Sequence, residues 1–153
     1  MIRGMNHVGL SVLDINRSVK FYCDILGMEV VGKVSFAGVQ YEMVLALQGA
    51  SGKAVLLRGE NIQLELFEFS HPLPKRKDPR YPVSDHGLSH FCIEVVDILG
   101  EYERLKEAGV YFHCPPVVFS SGATATYARD PDGNVIEFLE LTNSPVLRSC
   151  KSN

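Results

Sequence analysis

The segment Asn6-His7-Val8-Gly9-Leu10-Ser11-Val12-Leu13-Asp14-Ile15 returns later in the chain as Ser89-His90-Phe91-Cys92-Ile93-Glu94-Val95-Val96-Asp97-Ile98. Both copies run into helical spacing and stop at a glycine, Gly27 in the first and Gly109 in the second. A second match, at a slightly smaller offset, pairs Leu64-Glu65-Leu66-Phe67-Glu68-Phe69 with Ile136-Glu137-Phe138-Leu139-Glu140-Leu141. Internal repetition at this scale means one supersecondary unit used twice. The fold therefore follows from reading a single module.

Each module reads as strand, helix, then three strands. Val8, Leu10 and Val12 alternate with His7, Gly9 and Ser11, the period-2 pattern of a strand with one apolar face. Phe91, Ile93 and Val95 alternate in the same way with His90, Cys92 and Glu94. Asp14 and Asp97 stand at the N-cap position of the helix that follows. Ile15, Val19, Tyr22 and Leu26 then share one helical stripe, as do Ile98, Tyr102, Leu105 and Ala108. The later strands are clearest at 53–57, 62–69, 123–128 and 135–141. Tight turns are expected at Arg58-Gly59-Glu60-Asn61 and Asp130-Pro131-Asp132-Gly133. The fold class is α+β, and the 153 residues suit one domain over 1–142, built of modules at about 3–69 and 86–142. Residues 70–85, with four prolines and the basic cluster Lys75, Arg76, Lys77 and Arg80, read as a linker. Residues 143–153 read as a flexible tail. The stretch 37–47 is long enough for an extra helical turn or a lid, or for an ordinary surface insertion.

Composition narrows the partners. A hydrophobic share of 46% supports one ordinary core, and a net charge of -3 supplies no cationic field for nucleic acid. No apolar run approaches the ~20 residues of a membrane span. The four cysteines, Cys23, Cys92, Cys114 and Cys150, form no C-x-x-C pair and read as reduced thiols of a cytoplasmic protein. A small molecule is the expected partner.

Chemistry concentrates where polar residues repeat. His7 matches His90 on the first strands, and Glu65 matches Glu137 on the last. His7 faces away from Val8, Leu10 and Val12, which must bury against the helix of their module. Glu65 and Glu137 have the opposite parity to their apolar neighbours, so they join the histidines on the open face. Glu68 and Glu140 point the other way. If two such sheets form one concave surface, two imidazoles and two carboxylates meet at its floor, a set that a divalent cation relieves of its desolvation cost. The mixed N/O donors suit Zn, Ni, Co, Mn or Fe(II). His71, His86 and His113 have no repeated partner and are read as ordinary polar residues, with His86 near enough to support a ligand. Ser11, Phe67, Phe69, Cys92, Glu94, Tyr127, Leu139 and Leu141 are the expected pocket walls.

The motifs MNHVGLSV, INRSVKFYCDILGMEVV, IQLELFEF, GLSHFCIEV and RDPDGNVIEF together resemble the vicinal oxygen chelate superfamily of glyoxalases, bleomycin resistance proteins and extradiol dioxygenases. The resemblance runs from Met5 to Leu141. It implies paired βαββ modules, a βαβββ-type repeat, making a curved mixed sheet around a metal-binding cleft that chelates two oxygens of a substrate. It also implies metal ligation by His7, Glu65, His90 and Glu137, with Glu137 or Glu65 moving a proton.

Among the superfamily's reactions, the complete ligand set favours a metal-dependent lyase or isomerase acting on a small α-hydroxy, α-keto or dicarbonyl compound through an enediolate. The alternatives are an Fe(II)-dependent dioxygenase of extradiol type and a non-catalytic binding or resistance protein. Glyoxalase I carries an arginine where this chain has Ser11. Methylmalonyl-CoA epimerase draws a carboxylate base from a loop that here, over Leu47-Gln48-Gly49-Ala50-Ser51-Gly52, has none. A homodimer is expected, because exposed edge strands need covering, with all four ligands drawn from one chain.

Overall fold

The computed structural model describes residues 1–142, so the expected tail, with Cys150, lies outside the described residues. The chain divides into two compact units, Met1–Asp78 and Pro79–Asn153. Each is α+β and each carries one copy of the repeat.

In the first unit, β1 (Val8–Ser11) leads to helix α1 (Ile15–Lys20), followed by β2 (Glu29–Ala37), helix α2 (Val39–Leu45), β3 (Ser51–Arg58) and β4 (Gln63–His71). The sheet order is β1-β4-β3-β2. β1 lies parallel to β4, and the other neighbours are antiparallel. Strand parity sorts the faces as the alternation predicts. Leu10, Val12, Leu64 and Leu66 are buried with Ile15 and Tyr22 of the helix, while Glu65 sits half-buried on the opposite face.

The first helix departs from a regular stripe. After Lys20 it widens into a π-helical turn over Phe21–Ile25, with Leu26 N–H reaching Phe21 O at 3.2 Å. The extra residue in the turn puts both Phe21 and Tyr22 into the core, their rings edge to face at 5.1 Å. The segment at 37–47 is helix α2, none of whose residues is buried. β4 continues to His71, beyond the strand end expected at Phe69.

In the second unit, β5 (Phe91–Glu94) and helix α3 (Ile98–Glu107) precede β6 (Tyr111–Phe112), β7 (Val117–Val118), β8 (Thr124–Arg129) and β9 (Val135–Glu140). The order is β5-β9-β8-β6, with β7 also pairing β8. The long β2 of the first module has two short counterparts here, β6 and β7. Pro115 and Pro116 lie between them, and a residue without an N–H cannot continue a ladder.

Both helices end at their glycines in the left-handed conformation, Gly27 at φ 74° and Gly109 at φ 88°. Both begin at their aspartates. Asp14 Oδ1 accepts from Asn16 N and Arg17 N at 3.0 Å, and Asp97 Oδ1 accepts from Gly100 N at 3.2 Å. The helix-side carboxylates Glu68 and Glu140 supplement these caps. Glu68 Oε2 accepts from Ile15 N, and Glu140 Oε1 from Asp97 N, both at 2.7 Å. Each module thus ties its last strand to its helix start. The turn at Asp130 closes through its side chain, with Oδ1 accepting from Asp132 N at 2.9 Å and Asn134 N at 2.8 Å. In the expected linker, Tyr81 is buried and accepts at its carbonyl from Arg129.

Candidate metal centre

Each repeated histidine sits one residue before the first strand of its module. In the first unit Gly9 pairs with Glu65 across the parallel strands, so His7, two residues earlier, shares the face of Glu65. His7 Nε2 stands 3.1 Å from Glu65 Oε2. In the second unit Cys92 pairs with Glu137, and His90 Nε2 stands 3.0 Å from Glu137 Oε2. Parity and register create the same pair twice.

The other ring nitrogen is engaged in both copies. His7 Nδ1 lies 2.8 Å from Asn6 Oδ1, and His90 Nδ1 lies 2.9 Å from Ser89 Oγ. An amide oxygen only accepts, so His7 donates its Nδ1–H and turns Nε2 toward a carboxylate oxygen. That separation is the length of a hydrogen bond, and equally that of two donors sharing one cation. Cis ligands held at about 2.1 Å by one octahedral ion stand about 3.0 Å apart, which matches both pairs. A polar residue fixing the far nitrogen is the usual support of a ligating histidine. The donor set and its spacing fit a divalent cation. Among the described residues, no three His, Cys, Asp or Glu side chains are grouped so that they could hold a metal ion; the units present two His–Glu pairs.

The second pair has more chemistry around it. Cys92, Glu137 and Tyr127 form one row across β5, β9 and β8, and the Tyr127 ring lies 5.0 Å from that of His90. Burial first, then the charge of Glu137, a hydrogen bond with it and the charge of Glu94, push the Cys92 thiol up to about 12. Tyr127 is also raised, by burial and then by Glu137 and Cys92. Both groups stay protonated beside the carboxylate. Glu94 shares the face of Cys92, and its Oε1 is buried without a hydrogen-bond partner.

Of the other expected wall residues, Phe67 and Phe69 stack at 5.9 Å, each edge-on to the buried Phe36 of β2. Tyr41 of α2 packs on Phe36 at 5.3 Å, so the extra helix lies over this aromatic cluster. Ser11 is exposed at the end of β1, and Leu139 is half-buried beside Glu94. Leu141 follows β9 and lines a cavity with Val95, Val96 and Thr142. His71 and His86 are exposed.

His113 is the residue that the repeat could not reveal. Arg129 Nε donates to His113 Nε2 at 2.9 Å, Nη1 to Gly133 O at 2.8 Å and Nη2 to Tyr81 O at 2.7 Å. The Arg129 plane also covers the Tyr81 ring at 4.7 Å. Partial burial, with the adjacent guanidinium, holds the His113 imidazole below its ordinary range. Sequence reasoning missed Asn6 and Ser89 as well, although a polar residue before each repeated histidine is the signal that could have found them.

The sequence matches the Glyoxalase/Bleomycin resistance protein/Dioxygenase superfamily over residues 4–138. A probable lactoylglutathione lyase of Synechocystis sp. is 26% identical over 138 residues, covering 90% of this chain and 95% of that protein. A 2-epi-5-epi-valiolone epimerase of Actinomyces sp. is 30% identical over 146 residues, covering 90% and 79%. Among solved structures, a glyoxalase family protein from Bacillus cereus superimposes with a TM-score of 0.83 at 20% identity, over 92% of this chain and 95% of that one. The chain belongs to the Glyoxalase/Bleomycin resistance protein/Dioxygenase superfamily. Members of that superfamily generally use a divalent metal.

Proposed function

We propose that His7, Glu65, His90 and Glu137 together hold one divalent cation, and that the chain is a metal-dependent lyase or isomerase for a small α-hydroxy, α-keto or dicarbonyl compound. The observation that carries this reading is the repeated approach of a histidine Nε2 to a carboxylate oxygen, at 3.1 and 3.0 Å, each ring braced at Nδ1. A lyase and an epimerase among the relatives support chemistry at carbon next to a carbonyl. The functional domain spans 1–142, in a cytoplasmic homodimer. Described cysteines without disulfides and the open valines of the edge strand β2, Val30, Val31 and Val34, support that setting.

The cation supplies the positive charge that favours an enediolate over its protonated precursor. The remaining work falls to the side chains. Glu137, within reach of His90 and beside the protonated Cys92 and Tyr127, takes the proton from the substrate carbon and returns it. Tyr127 keeps its hydroxyl proton and offers it to a substrate oxygen. In the first unit Glu65 has only Gly9 and Leu56 beside it in the ladder. The asymmetry favours Glu137 as the mobile base.

Metal analysis of the purified protein, followed by incubation of Zn-, Ni- and Fe(II)-loaded protein with 2-hydroxyketones and catechols in D₂O, tests the assignment. Deuterium entering the α-carbon with a redox-inert metal is the expected result. Oxygen consumption restricted to the iron form, without exchange, would replace it with a dioxygenase.

A further inference from the structure

The break in the second strand of the second module, between β6 and β7, borders an open space. It is a cavity of about 290 Å³ whose wall includes His113, Cys114, Val117, Phe119 and Tyr127, with Glu137 also on its lining. That size is at the lower end of small-molecule sites. Its lining contains three apolar side chains, Val117, Phe119 and Ala125, and no Lys or Arg.

Two features define what fits. Arg129 is the nearby cation, but it is buried, donates from Nε, Nη1 and Nη2 to His113, Gly133 O and Tyr81 O, and is not on the cavity wall. Because an arginine Nε–H only donates, His113 Nε2 must be the accepting nitrogen, and the imidazole proton lies on Nδ1. Among the described residues nothing is recorded as accepting from that Nδ1–H, and His113 is exposed. Thr126 contributes no competing donor, since its hydroxyl is given to Cys114 O at 2.6 Å, and the Tyr127 hydroxyl serves the reacting oxygen.

We infer that this cavity seats the non-reacting part of the substrate, an uncharged apolar group of about one ring bearing a single hydrogen-bond acceptor, which His113 recognises through Nδ1–H. The substrate class rests on the reading of Glu137 as part of the reacting site. An anionic tail finds no Lys or Arg on the wall. Arg129 is a positioning residue: it fixes the tautomer of His113 and touches no ligand itself.

Chelator-treated full-length protein suffices for the test, so failure of the metal assignment leaves this one standing. Acetophenone, ethylbenzene and benzoate are titrated while the Val117 and Ala125 methyl signals and the His113 ring nitrogens are followed by NMR. Acetophenone is expected to shift these signals and to bind about three- to tenfold more tightly than ethylbenzene, the worth of one net hydrogen bond, with benzoate weakest. His113→Leu should remove the acetophenone advantage, and His113→Asn, which keeps a donor near the Nδ1 position, should restore part of it. Equal binding of acetophenone and ethylbenzene to the unaltered protein overturns the inference, as does benzoate binding as tightly as acetophenone. Shifts confined to residues elsewhere, or ring nitrogens reporting the proton on Nε2, overturn it too.

Discussion

The carboxylate of Glu68 accepts the backbone N–H of Ile15 at 2.7 Å across 53 residues of sequence. Through this bond the last strand of the first module satisfies the first turn of its own helix. Glu140 does the same for the second module at Asp97. Glu68→Ala should therefore cost about 1 kcal/mol of stability, in the range for losing a helix cap. Glu68→Gln, which retains an acceptor, should cost less. Denaturant unfolding of the two variants measures both; equal losses would show that the acceptor is irrelevant.

Gly52 lies at the irregularity where β3 meets β4. A Cβ there would collide with the carbonyl oxygen of Glu68 and crowd the ring of Phe36. Backbone cannot yield as a flexible side chain can, so Gly52→Ala should destabilise by about 1–3 kcal/mol. A thermal midpoint unchanged from that of the parent protein would contradict this packing.

Cys92 retains solvent exposure, yet its thiol is raised from 9.0 to about 12 by burial and Glu137. The thiolate is the nucleophile, so alkylation of Cys92 by iodoacetamide in chelator-treated protein should be slower than that of free cysteine at pH 8. It should keep accelerating beyond pH 10 rather than level off. Glu137→Gln should speed the reaction without restoring an ordinary rate, because burial is the larger cause. The sign for stability is fixed as well. A folded-state value above the unfolded one gives a contribution that is fully present below about pH 9 and lost as the pH rises toward about 12. A rate plateau near pH 9, followed by peptide mapping, would refute the shift.

His90→Ala should bring metal stoichiometry well below one per chain and abolish the rise in thermal midpoint that added metal gives the parent protein. Mixing inactive His7→Ala and His90→Ala chains distinguishes how the ligands are shared. Our expectation is that all four come from one chain, across the long connection at 70–85, so the mixture should stay inactive. Recovered turnover would mean that each site draws a pair from two chains.

Much of this was legible in the sequence because the module is written twice and its signals are local. Alternation at Val8, Leu10 and Val12 determines a strand face, and with it the side on which His7 and Glu65 must lie. Asp14, Gly27, Asp97 and Gly109 bound the helices for reasons contained within one turn of chain. Tertiary structure alone decided what depends on distant partners. The role of Glu68 requires knowing that its strand ends beside Ile15. The widened turn at Phe21–Ile25 follows from the packing of two adjacent aromatic rings, which overrides a regular helical stripe. His113 becomes distinctive only when the strand broken at Pro115 and Pro116 folds back onto β8 and brings it to Arg129. No periodicity records such a contact, because it is set by the register between strands and not by the order of residues within one.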